Sequence, residues 1–171
     1  MNFRYNLSEE DNIHMDLVYN KIKTWEKKMQ GKKILIADDE ARMRKLIADF
    51  LKKENCLVVE AENGKDALEK FEQEKNIDLV ILDVMMPEYD GWTVCRMIRK
   101  NAKIPIIMLT ARGEESDEIF GFDLGADEYI TKPFSPQILI ARIKALFRRI
   151  ENTKQNKKIY GKTLSTNGYS R

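Results

Sequence analysis

The stretch LVILDVMMPEYDGW, residues 79–92, joins a run of apolar residues to a carboxylate and then to a turn. A short apolar run of this kind is typical of a strand that is buried on both faces of a parallel sheet. Asp83 stands at its end, where a buried charge is costly unless it has partners. The Asp90-Gly91 pair is a turn signal that predicts the start of a helix. The stretch therefore predicts a central strand that presents Asp83 at one edge of a sheet.

Short apolar runs alternate with helical patterns throughout residues 33–149. This alternation indicates repeated βα units, and it predicts an α/β fold with a doubly wound, five-stranded parallel sheet. The predicted strands lie at 33–37, 56–61, 78–83, 104–110 and 128–131. The predicted helices lie at roughly 40–53, 64–75, 91–100, 114–124 and 135–149.

Composition narrows the class of protein further. The 171 residues are 43% apolar and 34% charged, with a formal net charge of +2, so no overall field points to nucleic acid or to a membrane. Cys56 and Cys95 have no Cys or His neighbours at metal-ligand spacing, which favours two reduced thiols. The sequence also lacks a membrane-spanning apolar run and a signal-peptide pattern, so we expect a cytoplasmic protein.

Residues 1–30 form the first of two appendages and are predicted to be a helical extension. Apolar residues recur in it at helical spacing, namely Met15, Val18, Ile22, Trp25 and Met29. The pattern lasts only about two heptads, fewer than a coiled coil needs, so a helix that packs on its own domain or frays is favoured over pairing between chains. The segment is either an added helix or an upstream extension of the reading frame.

Residues 150–171 form the second appendage, a polar segment with five basic residues against one acidic residue. This composition predicts a basic linker that is solvated, with DNA contact as the alternative.

Chemistry-bearing residues follow four of the predicted strands. They are Asp38 and Asp39 after the first strand, Asp83 at the end of the third, Thr110 at the end of the fourth and Lys132 after the fifth. Each alone could be a cap, a turn residue, a strand residue or a surface lysine. Because the carboxyl ends of parallel strands share one edge of the sheet, where ligands bind, we expect these side chains to converge there.

Three neighbouring carboxylates repel one another unless a cation lies among them. Mg²⁺ prefers oxygen ligands and is often held by carboxylates together with phosphate oxygens, so the site is expected to receive a phosphoryl group. Aspartate can act as a nucleophile that forms an aspartyl phosphate, and Asp83 lies centrally. Lys132 would offset the phosphoryl charge, and Thr110 would donate a hydrogen bond after phosphorylation.

Four segments, ILIADDE, ILDVMMPEYDGW, IIMLTAR and GADEYITKPFSP, occur in this order over residues 34–136. Together they make the chain resemble the receiver domain of two-component response regulators, in the OmpR/PhoB-like branch. The resemblance covers residues 32–149 and assigns residues 31–149 to a receiver domain. It implies a flavodoxin-like fold with strand order 2-1-3-4-5.

The resemblance also implies a role for each matching residue. The implied Mg²⁺ ligands are Asp38, Asp39, Asp83 and the backbone carbonyl of Met85. The implied catalytic residues are Asp83 as phosphoacceptor, Thr110 and Lys132, and the implied switch residues are Thr110 and Tyr129. The Lys132-Pro133 peptide bond is expected to be cis, as in the family.

A receiver of this family takes its phosphoryl group from a phosphohistidine on a sensor histidine kinase and slowly hydrolyses its own acyl phosphate. The resemblance therefore implies a switch, not a conventional enzyme, that regulates transcription through a DNA-binding output domain missing from this chain after residue 171. A stand-alone receiver that binds a protein partner or drains phosphate is the alternative. A phosphatase of the haloacid-dehalogenase type is disfavoured, because the first strand is followed by ADDE instead of a D-x-D pattern.

Receivers of this branch pair through the face formed by the fourth helix, fifth strand and fifth helix. Here Glu118 and Ile138 stand where the family often has a basic residue and a glutamate, so one expected ion pair between subunits is missing. Asp127 and Arg142 are left for another pair, which makes this homodimer an open expectation.

Overall fold

The computed structural model describes residues 29–111 and 125–164, with side chains described as far as residue 153. The strands are β1 (Lys33–Ala37), β2 (Leu57–Ala61), β3 (Leu79–Asp83), β4 (Ile106–Ala111) and β5 (Glu128–Lys132). The helices are α1 (Ala41–Lys53), α2 (Gly64–Gln73), α3 (Gly91–Asn101) and α4 (Pro136–Leu164). The predicted strands are confirmed to within two residues at each end.

The five strands form one sheet in the order β2-β1-β3-β4-β5, and every pair of neighbours is parallel. The predicted strand order is therefore confirmed. All five residues of β3 are buried, as its unbroken apolar run predicted. Because β3 is central, the carboxyl ends of β1 and β4 lie on either side of Asp83.

Two apolar layers cover the two faces of the sheet, which confirms the doubly wound arrangement. One layer buries Ile47 and Leu51 of α1 with Ile143 of α4. The other buries Ala67 of α2 with Val94 of α3. Apolar side chains from both faces of the same strands supply these layers, so the strands are rigid supports for the residues at their ends.

Side-chain hydrogen bonds cap the first turns of α2 and α3, the helices that follow β2 and β3. The Asn63 side chain accepts a hydrogen bond from the Asp66 backbone N–H at 2.8 Å and begins α2. The Asp90 side chain accepts one from the Thr93 N–H at 2.7 Å and begins α3, as the Asp-Gly turn predicted.

The last helix is longer than predicted. It was expected to end at Arg149, but α4 continues to Leu164. Residues 150–164 contain no proline and several residues that favour helices, and the low apolar content that suggested a linker does not by itself stop a helix. The linker role of residues 150–171 stays a prediction.

Two other predicted helices fall beyond the described residues. The helix at 114–124 lies there, as does the N-terminal extension apart from its last residues. Among the described residues, no helix is both long enough and apolar enough to cross a membrane.

Candidate functional site

The predicted carboxylates converge at the carboxyl edge of the sheet. Asp38 directly follows β1, and Asp83 is the last residue of β3. Oxygens of Asp38, Asp39 and Asp83 all lie within 4.8 Å of one another. The structure thus brings together three residues that are up to 45 positions apart in the sequence, because parallel strands end on a common edge.

Lys132 joins this cluster from the end of β5. Its Nζ lies 2.8 Å from Asp38 Oδ2 and 3.0 Å from Asp83 Oδ1. The Asp38 and Asp83 side chains are 0% and 9% exposed, whereas the lysine side chain is 23% exposed. The ammonium group therefore bridges two carboxylates that have little contact with water.

The acidic loop after β1 has further hydrogen bonds. Asp38 Oδ1 accepts the Glu40 backbone N–H at 2.8 Å, so both carboxylate oxygens of Asp38 have donors. Arg44 Nη1 donates to the backbone carbonyls of Asp38 and Asp39 at 2.7 and 3.2 Å. Arg44 was not predicted to take part in the site, although its place one turn into the helix after the acidic pair was a usable signal. Arg44 fixes the loop backbone and leaves the carboxylates facing the site.

Burial is the main influence on the charge state of Asp83. It raises the pKa of the Asp83 carboxyl, and the negative charges of Asp38 and Asp39 raise it further, while Lys132 opposes the rise. For Lys132, burial works to lower the pKa, but the hydrogen bonds and charges of Asp38 and Asp83 outweigh it and hold the pKa above its usual value. The lysine therefore stays protonated while it bridges the two carboxylates.

This donor set fits a hard divalent cation. Three carboxylates and one ammonium leave a formal charge of −2 when all are ionised, which one divalent ion would neutralise. The available ligands are oxygens, the type that Mg²⁺ prefers. Asp39 is exposed beside the buried Asp38, so the cluster opens to solvent on one side. The predicted acidic cluster is thus present and suited to Mg²⁺, and binding of the ion stays a prediction.

Thr110 and Tyr129 lie on the two strands beyond Asp83. In the sheet, Asp83 is paired with Leu109, and Thr110 is the next residue of β4. Thr110 is buried at the same carboxyl edge. The Tyr129 hydroxyl is also buried, and its ring lies 5.9 Å from that of Trp92, between ring centroids. The contact of Trp92 with Tyr129 was not predicted, since the position of Trp92 in the first turn of α3 gave no such signal.

The loop between β3 and α3 is held very close to Asp83. A Cβ atom on Gly91 would lie 2.2 Å from the Asp83 carbonyl oxygen, and one on Gly64 would lie 1.9 Å from the Tyr89 carbonyl oxygen. Both glycines are therefore required by close backbone approach. The turn signal at Gly91 predicted only the start of a helix and did not predict this close approach. The Met85 side chain in this loop is exposed, and the role of its carbonyl stays a prediction.

A peptide bond and two charged residues near β5 were the subject of predictions. The Lys132-Pro133 peptide bond is cis, as predicted. Asp127 and Arg142, which were left for a pair between subunits, are both engaged within the chain. Arg99 Nη2 lies 2.7 Å from Asp127, and Arg142 Nη1 lies 2.8 Å from Glu128.

The expected dimer face is only partly described. Ile138 is 54% exposed, and Glu118 lies outside the described residues.

Comparison with known proteins gives a consistent result. The family model described as the response regulator receiver domain matches residues 34–144. The transcriptional regulatory protein ResD of Bacillus subtilis is 53% identical over 121 residues, which cover 71% of this chain and 50% of that protein. The transcriptional regulatory protein SrrA of Staphylococcus aureus is 48% identical over 120 residues, which cover 70% of this chain and 49% of that protein.

Solved structures agree with the sequence comparisons. The receiver domain of the Francisella response regulator 1452 matches with a TM-score of 0.66 and 34% identity, over 70% of this chain and 99% of that one. DrrB, an OmpR/PhoB homologue from Thermotoga maritima, matches with a TM-score of 0.64 and 36% identity, over 70% of this chain and 54% of that one. The chain spans about half the length of the curated relatives that it matches.

Proposed function

This chain belongs to the family of response regulator receiver domains, and we propose that it accepts a phosphoryl group on Asp83 from a sensor histidine kinase. The observation that supports this proposal best is the bridge from Lys132 to Asp38 and Asp83 at 2.8 and 3.0 Å. It puts a cation directly beside a carboxylate that is fixed at the end of a rigid, buried strand. The family assignment disfavours the phosphatase alternative.

In the proposed reaction, an Asp83 carboxylate oxygen attacks the phosphorus of the phosphohistidine. A P–O bond forms while the P–N bond breaks, and the electron pair of that bond goes to the imidazole, which takes up a proton. The Lys132 ammonium group lies where it would offset negative charge on the transferring phosphoryl oxygens. Burial of Asp83 keeps bulk water away from the carboxylate that reacts.

Mg²⁺ would be held by Asp38, Asp39, Asp83 and the backbone carbonyl of Met85. When bound, it would neutralise charge on the acidic cluster and on the phosphoryl oxygens. The side chains that would hold it are already gathered, so binding requires little rearrangement of the β1 loop.

The proposed output is a population shift that begins at Thr110. A phosphoryl group on Asp83 would accept a hydrogen bond from the Thr110 hydroxyl, and Tyr129 on the adjacent strand would respond to that movement. A shift from 1:99 to 99:1 between resting and active conformers needs about 5.5 kcal/mol of differential interaction. The Tyr129 ring lies beside Trp92, and its hydroxyl is buried. We therefore expect the packing of this aromatic pair to differ between the resting and the active conformer.

The relatives ResD and SrrA are named as transcriptional regulatory proteins, and they are about twice the length of the matched region. We propose by analogy that this receiver works in the cytoplasm and regulates transcription through a DNA-binding domain that follows it. Homodimerisation through the face around β5 and slow autodephosphorylation are parts of the same proposal. A stand-alone receiver that acts through a protein partner is the second candidate.

One experiment tests the phosphoacceptor directly. The protein is incubated with Mg²⁺ and acetyl phosphate, and intact mass is measured for the wild type, Asp83→Asn and the control Asp49→Asn, which changes an exposed aspartate of α1. We expect a phosphoryl adduct on the wild type and on the control only. Absence of the adduct from the wild type, or an undiminished adduct on Asp83→Asn, would contradict the proposal. Rapid turnover of small phosphate esters would favour a phosphatase instead.

A further inference from the structure

A shallow groove runs between α1 and α4 on the face of the sheet away from α2 and α3. Its volume is about 410 Å³. It is lined by Phe50, Lys53, Glu54, Gln137, Ile140, Ala141 and Lys144. Phe50 and Ile140 also pack into the apolar layer beneath, so the groove is an open edge of that layer. The groove lies away from Asp83, and the proposed phosphoryl chemistry does not use it.

Met29 belongs to the same apolar layer. It is 1% exposed and lies in the layer with Leu51, Ile143 and Phe147. Its carbonyl oxygen accepts a hydrogen bond from Cys56 Sγ at 3.3 Å. Met29 is also the last residue of the apolar series that the sequence analysis found in residues 15–29. One member of that series is therefore buried against α1 and α4.

The backbone around Met29 has the form of a helix end. Met29 is helical, and Gly31, two residues later, has a φ of 75°, the left-handed conformation that commonly terminates helices. The Gly31 N–H donates to the Asn55 carbonyl at 2.8 Å, which fixes this end beside Glu54, a residue of the groove. An ion pair of 2.7 Å joins Glu54 of this end to Lys144 of α4, and both residues line the groove.

The apolar residues before Met29 recur at helical spacing. In a helix, residues at i−4, i−7, i−11 and i−14 lie on the same side as residue i. Those positions are Trp25, Ile22, Val18 and Met15, and their side of the helix would face the layer that already buries Met29. A helix of about 14 residues at 1.5 Å per residue is about 21 Å long, enough to follow neighbouring helices for several turns.

We propose that residues 15–28 form an amphipathic helix that docks into the groove between α1 and α4 of the same chain. Such a helix would turn its apolar side, which carries Trp25 and Ile22, toward the groove lined by Phe50 and Ile140, and it would make this face of the receiver unavailable to other proteins. Of the possible occupants, this segment is favoured because it is covalently attached at Met29, so its effective concentration at the groove is high.

The test uses the two tryptophans of the full chain, Trp25 and Trp92, labelled as 5-fluorotryptophan. Fluorine NMR resolves them, and a Trp25→Phe variant assigns the resonances. A docked Trp25 should show a small solvent isotope shift in D₂O, because its ring is covered. Ala141→Arg and Gln137→Arg each place a long cation in the groove from an exposed position of α4, and we expect each to raise the Trp25 isotope shift.

A matched control is available across the sheet. Met97 is 39% exposed and lines a second groove of about 240 Å³ between α2 and α3, so Met97→Arg should leave the Trp25 resonance unchanged. The Trp92 resonance comes from a partly buried ring that packs on the apolar layer, and it checks that each variant is folded.

Three results would overturn the proposal. The first is a Trp25 that is fully solvent-accessible in the wild type. The second is a Trp25 that responds to Met97→Arg and to neither groove variant. The third is a Trp25 whose protection disappears on dilution while sedimentation shows a dimer becoming a monomer, since the occupant would then be a second copy.

Discussion

Replacing Lys132 with methionine removes the ammonium group while keeping a side chain of similar length. Nζ contacts Asp38 and Asp83 at 2.8 and 3.0 Å, and at an effective dielectric constant near 20 each pair of unit charges interacts by about 5–6 kcal/mol before desolvation is considered. Removal of one partner from a buried pair typically costs about 3–5 kcal/mol. Because the lysine side chain is 23% exposed, solvent screening reduces the expected loss to about 2–3 kcal/mol.

The measurement is urea unfolding followed by circular dichroism in the presence of EDTA. The control is Lys65→Met, which breaks a 4.0 Å pair with Glu69 in which both side chains are more than half exposed. That control should lose at most about 0.5 kcal/mol. A Lys132→Met protein whose midpoint and slope match those of the control would refute the assigned role of the bridge.

Lys132→Met should also change the stabilisation by Mg²⁺ and the pKa of Asp83. Without Lys132 three carboxylates share the site with no ammonium among them, so added Mg²⁺ should stabilise Lys132→Met more than the wild type. The pKa of Asp83, already raised by burial, should rise further. A raised carboxyl pKa means that the folded state favours the protonated form, so the variant should recover stability as the pH falls through the folded pKa of Asp83.

Three more perturbations test other parts of the structure. Gly91→Ala places a Cβ atom 2.2 Å from the Asp83 carbonyl oxygen, so the loop must move; we expect a loss of about 2–4 kcal/mol by chemical denaturation and slower phosphorylation by acetyl phosphate, and an unchanged phosphorylation rate would contradict this. Burial raises the pKa of the Cys56 thiol from 9.0 to about 11, so the fold favours the neutral thiol. Titration of Cys56 therefore leaves the free energy of unfolding unchanged below pH 9. Between pH 9 and 11 that free energy should fall by up to about 1.4 kcal/mol per pH unit, a slope that Cys56→Ala should lack in parallel unfolding curves. Asn63→Ala removes the cap on the Asp66 N–H and should lower the free energy of unfolding by about 1 kcal/mol without changing the mass adduct on Asp83; loss of the adduct would show that the cap also shapes the site.

Much of the site could be predicted from local sequence because its residues are attached to regular elements. The buried run before Asp83 identified the central strand, and the order of strands and helices identified a shared edge for Asp38, Asp83 and Lys132. Those inferences depend on hydrophobic periodicity, which is visible within each short segment, and on the alternation of strands and helices along the chain, which predicts a parallel sheet.

Other features depend on contacts that cannot be recognised within any one segment of the sequence. The need for glycine at position 91 arises from the Asp83 carbonyl eight residues earlier, and the contact of Trp92 with Tyr129 joins the first turn of α3 to a residue of β5. The pairing of Asp127 with Arg99 likewise joins the start of β5 to the end of α3 and engages a residue that the sequence had left available.

The sequence by itself determined the α/β class, the strand positions and the set of side chains that gather around Asp83. It could do so because hydrophobic periodicity is a local property and parallel strands end on one side. Tertiary structure alone decided that Lys132 bridges Asp38 and Asp83, that Arg44 holds the acidic loop, and that Met29 is buried beside an open groove. These outcomes follow from the close packing of elements that are far apart in the chain, and no single segment of the sequence contains that packing.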